Sequence, residues 1–172
     1  MKYGIAIFPS KEVQDIANSY RKRYDPNYAL IPPHLTIKER FDAEEAEIND
    51  MVEELRQIAK DTKPFSLIIN KVSSFYPVTN TVYLKVEPVE DLFTLSDKLY
   101  QDKFPKPERE FAFVPHITIG QDLSTEEHSD VYGSLKLHKF DIEETVDRFQ
   151  LLYQLENGSW TVHETFKFGE DC

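Results

Sequence analysis

Cysteine is almost absent from this chain: a single residue, Cys172, stands at the last of 172 positions. One thiol closes no internal disulfide and builds no cysteine-based metal site, so the sequence points to a reducing compartment and a fold held by packing. Glycine is scarce as well, with five residues, while 40% of the chain is hydrophobic and 13% aromatic. That composition excludes a disordered chain and fits one globular domain over residues 1–172. No apolar run approaches the roughly 20 residues of a bilayer span, so no membrane association is expected. The opening Met1-Lys2-Tyr3-Gly4-Ile5-Ala6-Ile7-Phe8-Pro9 is too short for the apolar core of a secretory signal. It reads as a first strand, and the protein is expected in the cytoplasm.

Positive charge is also in short supply. Lysine and arginine total 20 against 31 acidic residues, a formal charge of −11. Such a charge repels a polyanion at long range, so extended nucleic-acid binding is not expected, although a small anion can still be held locally. The basic groups that cluster, Arg21-Lys22-Arg23 and Lys103, Lys106 and Arg109, read as solvated faces. The sequence has no HExxH, no Cys–His set, no EF-hand loop and no Gly-rich phosphate loop with its lysine.

What the sequence does have is a five-residue phrase used twice, Pro33-His34-Leu35-Thr36-Ile37 and Pro115-His116-Ile117-Thr118-Ile119, about half the chain apart. Side chains alternate along a strand, so each histidine shares an open face with its threonine while Leu35, Ile37, Ile117 and Ile119 point into a core. A proline ahead of each histidine suits the first residue of a strand. Lys38 and Arg40 continue the face of His34 and Thr36 if the strand runs that far. The remaining histidines, His128, His138 and His163, lack a comparable phrase and read as surface residues.

Periodicity supplies the rest. Strand 2–8 leads to a helix capped by Ser10 and ended by Pro26. Strand 34–40 precedes an amphipathic helix over 43–60 with acidic first turns. Strands 65–73 and 81–87 follow, then a short helix through Leu92, Leu95 and Leu99. Strand 113–120, a weaker helix over 124–136 and strands 140–146, 148–155 and 160–168 complete the chain, with Asn157-Gly158 as a hairpin turn. A histidine strand, a helix and then strands occur in that order twice, which suggests an internal duplication. The expected class is α+β: two pseudo-symmetric lobes of mainly antiparallel sheet, with helices packed outside and a central groove. Gly120 allows close backbone approach after the second phrase.

Imidazole is the side chain best able to be base and acid near neutral pH. Two of them facing one phosphodiester can therefore take a proton from an attacking water and give one to the leaving oxygen. The hydroxyls of Thr36 and Thr118 would donate to the non-bridging oxygens, where charge gathers in the transition state. Such a site calls for no metal and no cofactor. Tyr76, in the loop between the two middle strands, is placed to stack on a base or simply to pack that loop. Two other classes stay open: a module that binds or senses a phosphorylated nucleotide with little turnover, and a histidine-pair metal enzyme, which would lack a full ligand set.

On these motifs, His34-Leu35-Thr36-Ile37 and His116-Ile117-Thr118-Ile119, together with Phe75-Tyr76-Pro77 and Val82-Tyr83-Leu84, the chain resembles the two-histidine (2H) phosphoesterase superfamily, in particular its small bacterial YjcG-like group. The resemblance covers nearly the whole chain. It implies a bilobed α+β fold and cofactor-free hydrolysis or ligation at 2′,5′ or 2′,3′-cyclic phosphodiesters, with a small nucleotide or an oligonucleotide end as substrate. It also implies that His34 is the proton donor and His116 the acceptor. One departure is that Gly120-Gln121-Asp122 follows the second motif, where many RNA-directed members carry an arginine.

Overall fold

In a computed structural model, which describes residues 1–107 and 113–169, the elements alternate as β1 (Lys2–Ile7), α1 (Lys11–Tyr24), β2 (Leu35–Asp42), α2 (Glu45–Lys60), β3 (Phe65–Ser74), β4 (Val82–Val86), α3 (Glu90–Leu99), β5 (His116–Gly120), α4 (Thr125–Leu135), β6 (Lys139–Val146), β7 (Arg148–Gln154) and β8 (Trp160–Lys167). Arg109 and Cys172 lie outside the described residues. Local chemistry sets the helix starts. The Ser10 hydroxyl accepts from the Val13 amide at 3.3 Å at the head of α1, and Ser124 with Glu127 forms a reciprocal cap on α4. α2 buries Ile48, Met51, Val52, Leu55, Ile58 and Ala59 along one stripe, as their spacing requires.

The strands join in the order β6-β3-β4-β5-β2-β1-β7-β8, every pairing antiparallel. The two four-stranded halves meet where β2 and β5 pair, through Leu35 opposite Ile117. The lobes expected from the duplicated phrase are therefore halves of one sheet. The halves also exchange helices: α1, which follows β1, packs along β5, and α3, which follows β4, packs along β2. Leu35 and Ile117 are wholly buried, with Ile37 and Ile119 beside them in a continuous core. The apolar members of both phrases thus hold the two halves in register, and the polar members are left on the other face. Truncating a residue so buried costs about 2–5 kcal/mol.

Gly120 meets its expected role. A Cβ there would lie 3.1 Å from the Tyr24 Cβ at the end of α1, and the next amide, of Gln121, donates to the Tyr24 carbonyl at 2.9 Å. Asp122 then takes a left-handed conformation, φ 56°, which aspartate tolerates better than most residues. No described helix is long and apolar enough to cross a membrane.

Candidate active site

Each histidine sits at the mouth of its strand: His34 immediately precedes β2, and His116 opens β5. The short Pro-containing entry folds back in the same way in both copies. The His34 Nδ1 lies 2.8 Å from the Pro32 carbonyl, and the His116 Nδ1 lies 2.6 Å from the Val114 carbonyl. A carbonyl only accepts, so Nδ1 carries the proton in each ring and the Nε2 lone pair is left for other work. Antiparallel pairing about Leu35 and Ile117 sets the motifs crosswise, with His34 toward Thr118 and Thr36 toward His116. All four side chains line one groove of about 810 Å³.

The two rings have different neighbours. Beside His34, the buried Arg21 guanidinium bonds Asp25 at 3.1 Å, Asn18 at 2.8 Å and the Ile31 carbonyl at 2.6 Å. The other Asp25 oxygen accepts from the Asn27 amide at 2.8 Å and from the Gln121 side chain at 2.9 Å. This network braces the 25–33 loop that delivers His34. His116 instead lies in an aromatic corner, edge-on to Phe75 at 4.9 Å and Tyr83 at 5.2 Å. Tyr83 is the cross-strand partner of Thr118.

Burial pushes the His34 pKa down to about 4, with Arg21 and His116 adding repulsion and the Pro32 carbonyl and Asp25 opposing it. Burial also lowers His116, against the Val114 carbonyl. Both rings are therefore neutral at neutral pH.

The other candidates fare differently. Thr36 and Thr118 are in the groove wall, and Arg40 is exposed on it. Lys38 borders the groove, but bulges in the β1–β2 pairing break the alternation past Thr36. Its ammonium is buried, donates to the Leu99 carbonyl at 2.6 Å and lies 4.7 Å from the Tyr100 ring. Desolvation, with Lys106 nearby, lowers its pKa to about 8. Tyr76 is 55% exposed and stacks on His128 at 5.1 Å, away from the groove lining. Two readings are corrected. His128 is buried, with Nε2 2.6 Å from the Ser74 hydroxyl, because the first turn of α4 packs against β3. Arg21 is no solvated charge, because the loop after α1 wraps its fork in carbonyls and a carboxylate; Lys22 and Arg23 are exposed.

The sequence reading also missed a second part of the lining, where Trp160, Gln154, Leu152 and Leu30 border the groove beside Gly4. A Cβ on Gly4 would lie 3.7 Å from the indole. The chain's lone tryptophan, just after a hairpin turn, was the available signal. Among the described residues, no three His, Cys, Asp or Glu side chains are grouped to hold a metal.

The sequence profile described as the 2′-5′ RNA ligase superfamily matches residues 8–158. A Bacillus pumilus protein named "Putative phosphoesterase" is 60% identical over 99% of both chains. TT0787 of Thermus thermophilus shares the fold at a TM-score of 0.74 and 20% identity, over 100% of both chains. Escherichia coli LigT complexed with NADP+ does so at 0.69 and 19%, over 98% of both.

Proposed function

The chain belongs to the 2′-5′ RNA ligase superfamily of phosphoesterases, and from that premise we propose that it hydrolyses a 2′,3′-cyclic or 2′,5′ phosphodiester by paired histidine acid–base catalysis without a metal. The observation that carries this reading is the matched pair of Nδ1-to-carbonyl bonds, which leaves an Nε2 on each side of one groove. The His116 Nε2 takes a proton from water as its oxygen attacks phosphorus. The bond from phosphorus to the leaving ribose oxygen breaks, and the His34 Nε2–H supplies the proton that oxygen needs. The product is a phosphomonoester. Exchange with solvent then returns both rings to their starting states.

Thr36 and Thr118 donate to the non-bridging oxygens, and Arg40 adds positive charge at the rim. Trp160 offers a stacking surface to the nucleoside, and Gln154, whose Nε2 donates to the Gly158 carbonyl at 3.0 Å, offers its amide oxygen. Lys38 and Tyr76 are assigned structural roles, since their polar and aromatic groups are engaged within the protein. Structures of LigT complexed with 3′-AMP and with phosphate fit such a substrate.

The donor role of His34 follows the family pattern. With its pKa near 4, the proton has to arrive with the substrate, whose anionic phosphate favours the imidazolium. That same depression favours a second reading, a phosphate-binding module with little turnover. The test is release of phosphomonoester from 2′,3′-cyclic nucleotides by EDTA-treated protein. Turnover that depends on both rings supports catalysis, and tight binding without turnover supports the module.

A further inference from the structure

The face that carries His116 continues across the second half of the sheet as a row of lysines. The registers are direct: His116 opposite Lys85, Lys85 opposite Lys71, and Lys71 opposite Lys139. Directly opposed residues project from the same face, so three ammonium groups lead away from the histidine in one line. At about 4.8 Å per strand the row extends about 14 Å. Like charges placed opposite one another destabilise a sheet, and the whole chain has a formal charge of −11, so this alignment is costly where positive charge is scarce. Protection of a sheet edge accounts for Lys139 on β6, but β3 and β4 are interior strands. Alternation places Glu87, Asp141 and Glu143 on the same face, and Asn70 engages Glu87. None of the three lysines is in an ion pair among the described residues.

We propose that Lys85, Lys71 and Lys139 form a phosphate track for the body of a short single-stranded oligonucleotide whose terminal nucleotide occupies the groove. The inference rests on the phosphodiesterase reading of that groove and extends it: the substrate is an oligonucleotide end rather than a free mononucleotide. A track of three lysines engages two or three phosphates, which is compatible with the overall negative charge because the attraction is local. Lys85 is nearest the scissile phosphate, and Lys71 and Lys139 meet the phosphates that precede it in the chain.

The test measures kcat/KM for 2′,3′-cyclic phosphates on one to four nucleotides over a range of salt, in the wild type and in the Lys71→Gln/Lys139→Gln protein. In parallel, fluorescence anisotropy follows binding of a 3′-phosphorylated tetranucleotide. The wild type is expected to prefer the tetranucleotide over the mononucleotide by about tenfold at low salt. Its log–log salt slope should steepen by about 0.7 for each phosphate engaged. In the double variant that preference falls by at least about fivefold, and the tetranucleotide slope becomes shallower by about 1.4. Equal kcat/KM at all lengths in the wild type, or a length preference that the double variant retains, overturns the track while leaving the phosphodiesterase reading in place. A gain from a 5′-triphosphate on the mononucleotide, without one from added nucleotides, overturns the oligonucleotide assignment. If no cyclic phosphate is hydrolysed, the phosphodiesterase reading fails and anisotropy decides: salt-dependent binding weakened in the double variant upholds the track, and equal binding overturns it.

Discussion

His34 and His116 come from the same phrase, make the same bond to the carbonyl two residues back and border the same groove, yet their surroundings differ. His34 is delivered by a loop braced on the buried Arg21–Asp25 pair, and His116 by a strand packed against Phe75 and Tyr83. The shared bond engages Nδ1 and leaves Nε2 as the open nitrogen in both rings. Burial lowers the proton affinity of both rings, and the unshared neighbours add a difference at His34, where Arg21 repels the imidazolium and Asp25 opposes that repulsion. The repeated phrase gives two like rings, and the flanking segments make them unequal, as the opposite parts proposed for them require.

The sharpest way to break this comparison is to remove each ring. His34→Ala and His116→Ala are each expected to lower kcat by about 10²–10⁴-fold. If the roles are as proposed, His34→Ala loses most on diesters with poor leaving groups, and His116→Ala loses equally on good and poor ones. Reversed sensitivities would exchange the roles. Replacement of a brace on one side only comes next. Arg21→Gln leaves the Asp25 carboxylate buried without its cation, a loss of about 3–5 kcal/mol in chemical denaturation, and it also removes a repulsion from His34. Thr36→Val and Thr118→Val are smaller in consequence, each costing about 10²-fold in kcat with the pH optimum unmoved, since a donor is lost and no titrating group.

The pH dependence sharpens the comparison further. Both histidines hold protons less well folded than unfolded, so the unfolded chain binds more protons below the ordinary value of 6.5. Stability from this source is complete above pH 6.5 and declines as pH falls toward about 4. Denaturation midpoints measured across that range should show the decline in wild type and a flatter response in His34→Ala. The kcat/KM profile, which reports the free protein, is expected to peak on the acid side of 6.5. The kcat profile peaks at higher pH, because bound phosphate raises the pKa values of the pair.

Much of this was legible in the sequence, for physical reasons. A two-residue period with branched and aliphatic side chains identifies the motif strands. The i, i+3, i+4 recurrence identifies α2, and Ser10 and Ser124 announce helix starts by the one bond a hydroxyl can make there. The paired histidines were legible because a phrase repeated with its threonine marks one kind of surface twice. The face of His34 and Thr36 does not continue to Lys38 as alternation predicts, because a bulge is a property of two strands together and leaves no mark on either alone. Arg21 and His128 were misread because burial of a polar group depends on what the rest of the chain brings to it, here the carbonyls of a loop and the hydroxyl of Ser74. Trp160 and Gln154 reach the groove through the β7–β8 hairpin, whose position beside β1 is set by the whole sheet order.

The most direct measurement is hydrolysis of a 2′,3′-cyclic nucleotide by metal-free protein, compared among wild type, His34→Ala and His116→Ala at matched folded concentration. Phosphomonoester release by the wild type with EDTA present, and its loss by at least about 10²-fold on removal of either ring, is the expected result. Release that needs an added divalent ion, or that persists when both rings are gone, would contradict catalysis by the histidine pair.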